Sequence, residues 1–79
     1  MNYLVTGCAG FIGYHVADSI LKQDKQSKVI GIDNLNDYYS VKLKQKRIQL
    51  LKQNKRFNFL KINLINKKKI ITVFKKHKI

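Results

Sequence analysis

The chain has no proline, no tryptophan, no glutamate and a single cysteine in its 79 residues. Each absence closes off a class of structure. Without proline there is no stiffened linker, and no repeat or low-complexity joint divides the sequence, so it makes at most one small domain. Cys8 can form no disulfide within the chain, which suits a reducing compartment. No basic segment is followed by a long apolar one, as a secretory signal would require. The apolar runs stop far short of the ~20 residues that a helix needs to span a bilayer. A cytoplasmic protein with no membrane attachment is expected. His15, His77 and Cys8 do not fall at the spacing of a ligand set, so no metal site is expected.

Acid is the next shortage. Seventeen lysines and arginines face four aspartates, for a net charge of +13. The imbalance is confined to one half. Residues 1–39 carry Lys22, Lys25 and Lys28 with all four acids, Asp18, Asp24, Asp33 and Asp37, and residues 40–79 carry the other fourteen basic residues and no acid. Such a block can mark a nucleic-acid surface. Here the only arginines are Arg47 and Arg56, whereas base reading and bidentate phosphate capture favour arginine. The lysine also accompanies many Asn and Ile, residues that share AT-rich codons. We read the surplus as compositional. A basic module that associates with nucleic acid or with a partner chain is the alternative.

What is present is an alternation of strand and helix signals. Tyr3–Thr6 is a short apolar run stopped by Gly7 and reads as a buried strand. From Phe11 to about Lys22, Ile12, Val16 and Ile20 recur every four residues, with Ala17 and Leu21 beside them, predicting a helix with one apolar face. Lys28–Ile32 predicts a second strand ending at Asp33. A helix running to about Gln53 follows, capped by Asp37 or Ser40, with Val41, Ile48 and Leu51 on its stripe and Leu43 and Leu50 at the edge. Residues 56–62 predict a third strand. Residues 67–76 fit either a helix or a strand, and Lys67, Lys68 and Lys69 would oppose the dipole of a helix there. The order β-α-β-α-β-α implies an α/β fold with a parallel sheet and right-handed crossovers. Both complete crossovers then lie on one face. The opposite face is left to residues 67–79.

Between the first strand and the first helix stand Gly7, Gly10 and Gly13. Gly7 ends the strand in a tight turn, Gly10 allows a pyrophosphate to approach the main chain, and Gly13 allows the helix to lie close to the sheet. The helix would aim its free N–H groups and positive dipole end at phosphate. Asp33 closes the next strand twenty residues after Gly13, the spacing of a carboxylate that accepts from the adenosine ribose hydroxyls. It would repel a 2′-phosphate, so NAD is favoured over NADP. The competing reading is a turn that only joins strand to helix, with Asp33 a solvated strand-end acid.

The stretch Thr6-Gly7-Cys8-Ala9-Gly10-Phe11-Ile12-Gly13 resembles the TGxxGFIG signature of the extended short-chain dehydrogenases, the NAD-dependent epimerase/dehydratase family. Gly31-Ile32-Asp33-Asn34-Leu35-Asn36-Asp37-Tyr38-Tyr39, followed by Leu43-Lys44-Gln45, is similar to the second-strand region of nucleotide-sugar 4-epimerases, above all UDP-glucuronate 4-epimerases. The resemblance implies that the main chain of Phe11 and Ile12 joins Gly7 and Gly10 around the pyrophosphate. Asn34 and Asn36 would line the adenosine pocket and Leu64 would lie on the adenine. Asn63 stands where family members usually carry an aspartate.

The family's catalytic Ser or Thr and Tyr-x-x-x-Lys lie further along the chain than residue 79, so no catalytic residue is assigned. Tyr38-x-x-x-Lys42 matches by letter only, because it sits at the adenosine end. The resemblance therefore implies residues 1–79 of a partial NAD(P)-binding Rossmann domain, truncated before the fourth strand and without activity by itself. The nucleotide sugar would be a partner only of a full-length member. The first strand would be an exposed sheet edge prone to self-association. Cys8 is expected to be a small residue that fits the turn, with thiol activation by the helix end as the alternative. His15 is expected at the surface.

Overall fold

The computed structural model describes residues 1–35 and 40–79. Strand β1 covers Asn2–Thr6, helix α1 Phe11–Gln23, β2 Lys28–Asp33, α2 Val41–Lys52, β3 Phe57–Lys61 and α3 Lys67–His77. The three strands form one parallel sheet in the order β1-β2-β3. Val29 is the register partner of both Tyr3 and Phe57. Parallel strands bring all three C-terminal ends to one edge. The turn at Gly7, the segment after Asp33 and the turn at Asn63 therefore meet there.

Strand alternation sends residues to two faces. Val5, Val29 and Phe57 are buried with Ala17 and Leu21 of α1 and Ile48 and Leu51 of α2. Ile30 and Ile32 face the other way and are buried with Val73 of α3, flanked by Leu4, Leu60, Ile62 and Ile70. Both crossover helices thus lie on one face, as right-handed connections require, and α3 covers the other.

Two elements depart from the sequence reading, and one that it left open is decided. Ile12 and Val16 do not lie in the core. They are 76% and 44% exposed, while Ala17 and Leu21 are buried. The helix is turned so that Gly13 meets the turn at Gly7 and Ala17 meets the sheet, which brings the axis closer than a stripe of isoleucines would permit. In α2, Ile48 and Leu51 are buried as expected, but Lys44 joins them, and its neighbour Leu43 is exposed. Residues 67–76, which the sequence left open, are helical. The Asn66 side chain accepts from the Lys69 N–H at 3.2 Å and caps the first turn. Lysines there oppose the dipole, but Lys75, Lys76 and His77 in the last turn favour it. Ser40 caps α2 through the Leu43 N–H, and Asp37, the other candidate, lies outside the described residues. Among the described residues no helix is long and apolar enough to cross a membrane.

Arg56, just ahead of β3, ties the far edge together. Its Nη1 donates to the carbonyls of Asp24 at 2.7 Å and Ser27 at 3.0 Å and to Ser27 Oγ at 2.9 Å, and its Nη2 donates to the Leu21 carbonyl at 2.6 Å. One cation thus satisfies the end of α1 and the turn that leads into β2, where the helix dipole also favours positive charge. Arg56→Met should lose these charge-assisted bonds and destabilise the fold by about 3 kcal/mol, read as a lower urea midpoint. A shift of less than about 1 kcal/mol would show that the cluster is solvated.

Candidate functional site

The turn after β1 is built by exclusion of side chains. Gly7 has φ +64°, a left-handed conformation that costs an L side chain about 1 kcal/mol or more. A Cβ on Gly13 would stand 2.1 Å from the Gly7 carbonyl oxygen and 2.7 Å from its carbon. No side chain can occupy that gap, so α1 begins in contact with the turn. Cys8 fills the space beneath, fully buried, with its Sγ 2.7 Å from where a Cβ on Gly31 would be.

The amides of the turn are mostly spent on the protein. Cys8 N–H donates to the Ile32 carbonyl at 3.2 Å and Gly10 N–H to the Gly7 carbonyl at 2.9 Å. Ala9 N–H donates to Asp33 Oδ2 at 3.0 Å. Asp33 Oδ1 accepts from Leu35 N–H at 2.8 Å. Asp33 is therefore a fixed carboxylate, held by two amides and drawn against the glycine turn, and each oxygen keeps a lone pair for a further donor. At the mouth of α1 the N-cap residue, Gly10, offers no side-chain acceptor, whereas α2 and α3 are capped by Ser40 and Asn66. The first intrahelical bond runs from Tyr14 N–H to the Gly10 carbonyl. Phe11, Ile12 and Gly13 precede it, and their N–H groups are the ones helix geometry leaves for an outside acceptor.

Two cavities adjoin at Gly7. A smaller one, about 160 Å³, is lined by Gly7, Asp33, Asn34, Asn63 and Leu64 with Ile32 and Ile62. A larger one, about 500 Å³, is lined by Gly7, Gly10, Phe11, Ile12 and Gly13 with Leu43, Lys44 and Arg47. The residues singled out from the sequence thus fall into these two groups. Asn36 lies outside the described residues. Asn63 accepts from Ile65 N–H through Oδ1 at 3.1 Å, so part of its acceptor capacity already orders its own loop. Leu64 is 56% exposed, an apolar side chain presented at the cavity rim.

Leu43, Lys44 and Arg47 were not among the sequence candidates. Their spacing along α2 puts them on one side of that helix, but only the packing of α2 beside α1 brings that side to the glycine turn. Arg47 Nη1 donates to the Ala9 carbonyl at 3.0 Å, and its Cζ lies 5.9 Å from the centroid of the Phe11 ring. His15 is exposed, and its ring meets Phe11 and Tyr14 edge-on at 4.7 and 5.1 Å. Among the described residues no group of three His, Cys, Asp or Glu could hold a metal ion. Tyr38, half of the coincidental Tyr-x-x-x-Lys pair, lies outside the described residues.

Three parallel strands alternating with helices, with a glycine turn and a carboxylate at the strand ends, define half of a Rossmann fold. The chain belongs to the GDP-mannose 4,6 dehydratase family, whose profile it matches over residues 4–79. It is 46% identical over 77 residues to the UDP-glucuronate 4-epimerase of Thermodesulfobacterium geofontis, covering 98% of this chain and 23% of that protein. Protein CapI of Staphylococcus aureus is 47% identical over 75 residues, 94% of this chain and 21% of its own length. The crystal structure of UDP-glucuronic acid 4-epimerase from Bacillus cereus in complex with NAD superposes with a TM-score of 0.76 at 41% identity, over 84% of this chain and 21% of that one. A dTDP-glucose 4,6-dehydratase from Bacillus anthracis, also in complex with NAD, reaches 0.87 at 26% identity over 100% of this chain and 24% of its own. The chain spans about a fifth of the length of the curated relatives it matches. Its sequence is homologous to the N-terminal NAD-binding region of UDP-glucuronate 4-epimerase-like enzymes.

The thiol at the turn is quiet. Burial first, and the negative charge of Asp33 second, push the Cys8 pKa from the usual 9.0 up to about 12. The helix end does not activate it. A fully buried thiol with so little thiolate reacts slowly. In native protein at pH 8 Cys8 should be modified by a disulfide reagent at least about a hundredfold more slowly than in urea. Because the folded pKa is the higher one, the neutral thiol adds stability below pH 9.0, and that stability should fall as pH rises from 9.0 toward 12. Equal labelling rates with and without urea would contradict the buried placement.

Proposed function

We propose that residues 1–79 hold the adenosine diphosphate part of NAD, within a nucleotide-sugar 4-epimerase of the UDP-glucuronate type. The observation that carries this reading is the Asp33 carboxylate fixed 3.0 Å from the Ala9 N–H, beside a helix whose first amides have no side-chain cap. A carboxylate with lone pairs to spare and the uncapped first amides of a helix, joined through one turn, suit a ligand with vicinal hydroxyls at one end and a diphosphate at the other. The residues fit such a group. The amides of Phe11, Ile12 and Gly13 would meet the diphosphate, with a Cβ-free surface at Gly10 for close approach. Asp33 would accept from the ribose hydroxyls. Asn34, Asn63 and Leu64 line the cavity on the adenosine side, and Asn36 is proposed with them.

When bound, NAD supplies a hydride acceptor and donor for the sugar carbon whose configuration is inverted. This chain's own contribution is binding and orientation. Asp33 places a negative charge where a 2′-phosphate would sit, so it discriminates between cofactors by repulsion. The region is proposed to bind the dinucleotide without converting a sugar by itself.

Titration of the folded 79-residue protein should show NAD bound at least about tenfold more tightly than NADP. Asp33→Ala should weaken NAD by about tenfold to a hundredfold, the value of hydrogen bonds to a charged group, and should shrink the preference over NADP. Folded protein that shows no NAD-dependent heat or shift in melting temperature would overturn the reading. So would an Asp33→Ala variant that is folded and binds NAD unchanged.

A further inference from the structure

We propose that Arg47 is a positioning residue of the dinucleotide site, holding the Ala9 peptide so that the first amides of α1 stay free for a diphosphate. The inference rests on the dinucleotide reading above and adds to it a residue from a different helix. Ala9 is gripped at both of its backbone polar groups. Its N–H donates to Asp33 Oδ2 at 3.0 Å, and its carbonyl accepts from Arg47 Nη1 at 3.0 Å. A carboxylate on the amide side and a guanidinium on the carbonyl side make both bonds charge-assisted. The two charges come from separate elements, the end of β2 and the middle of α2. Ala9 itself is fully buried and its two charged partners are half-buried, which limits the access of water to both bonds.

The carbonyl that Arg47 takes has a second use. It lies four residues before Gly13, and a helix extended backward by one residue would join it to the Gly13 N–H. With the guanidinium on that oxygen, α1 starts at Phe11 and its first intrahelical bond is the one from Tyr14 to Gly10. Gly10 has no side chain to fix the start of the helix from within, as Ser40 does for α2 and Asn66 for α3. Arg47 does it from outside. The Phe11 ring, 5.9 Å from the guanidinium carbon, lies under the cation and limits where it can go. Arg47 and Lys44 both line the cavity that the glycine turn opens into, so the same side of α2 also places positive charge beside the proposed diphosphate position.

The test compares Arg47→Met with wild type in the full 79-residue chain, using two readouts. Hydrogen exchange by NMR on the ligand-free protein should show the Ala9 amide exchanging at least about tenfold faster in the variant, with the core amides of Ile30 and Ile32 unchanged. NAD titration should show affinity lowered by about tenfold or more, as expected for loss of a charge-assisted bond that orients the binding turn. Faster exchange at Ile30 and Ile32 to the same extent would reduce Arg47 to a general stabiliser and overturn the proposal. So would unchanged Ala9 exchange, or unchanged NAD affinity. If R47M does not fold, R47K is measured by the same criteria, since an ammonium on a shorter head group cannot hold the same geometry. Wild-type protein that is folded and ignores NAD sinks the dinucleotide reading and the Arg47 role with it. Wild type that binds beside a variant that binds equally sinks the Arg47 role alone.

Discussion

A lack of room between the end of β1 and the start of α1 governs this structure. The place of a Gly13 Cβ is 2.1 Å from the Gly7 carbonyl oxygen, so the helix is pressed onto the turn that feeds it. That closeness turns the small face of α1 inward and the Ile12 and Val16 face outward. It leaves Gly10 as a cap with no acceptor, and it seals Cys8 under the turn. The same economy recurs one strand over. A Cβ on Gly31 would collide with both Cys8 Sγ and the Phe57 ring at 2.7 Å, so β2 must lack a side chain there for the turn and β3 to share the space.

Charge organises what sterics leave open. Asp33 draws the Ala9 amide and the Leu35 amide to itself and so orders the ends of two strands around one carboxylate. Arg56 performs the opposite service at the other end of the sheet, collecting the carbonyls that α1 leaves at its C-terminus. Both ions are half-buried and hydrogen-bonded to the main chain, the condition under which hydrogen bonds to charge contribute most. The lysines of residues 40–79 are mostly of another kind. They lie on exposed faces, where long flexible side chains stay in water and hold little structure in place.

The two faces of the sheet are unequally covered. Two helices lie over one, with a buried cluster running from Val5 through Val29 to Phe57. The other has Ile30, Ile32 and Val73 as its buried residues, and Ile71 and Phe74 of the covering helix are 54% and 46% exposed. Parallel sheets favour cover on both sides, and among the described residues β1 pairs only with β2. The glycine turn stands at the end of β1, beside the better-packed face on which α1 and α2 lie.

Much of this was legible in the residues themselves. Strand, glycine turn, helix, strand and terminal acid follow one another in an order that local chemistry dictates, because apolar period, chain reversal and backbone freedom are properties of neighbours in sequence. The gathering of Asp33, Asn34, Asn63 and Leu64 at one edge follows from parallel strands alone. What the sequence did not disclose depended on distance along the chain. Which apolar side of α1 is buried was settled by how closely Gly13 approaches Gly7, and residues 67–76 became a helix because Asn66 caps them and Val73 finds Ile30 and Ile32. Arg47 reaches Ala9 across 38 positions. No pattern in α2 announces that contact, since it exists only once two crossovers have laid one helix beside the mouth of another.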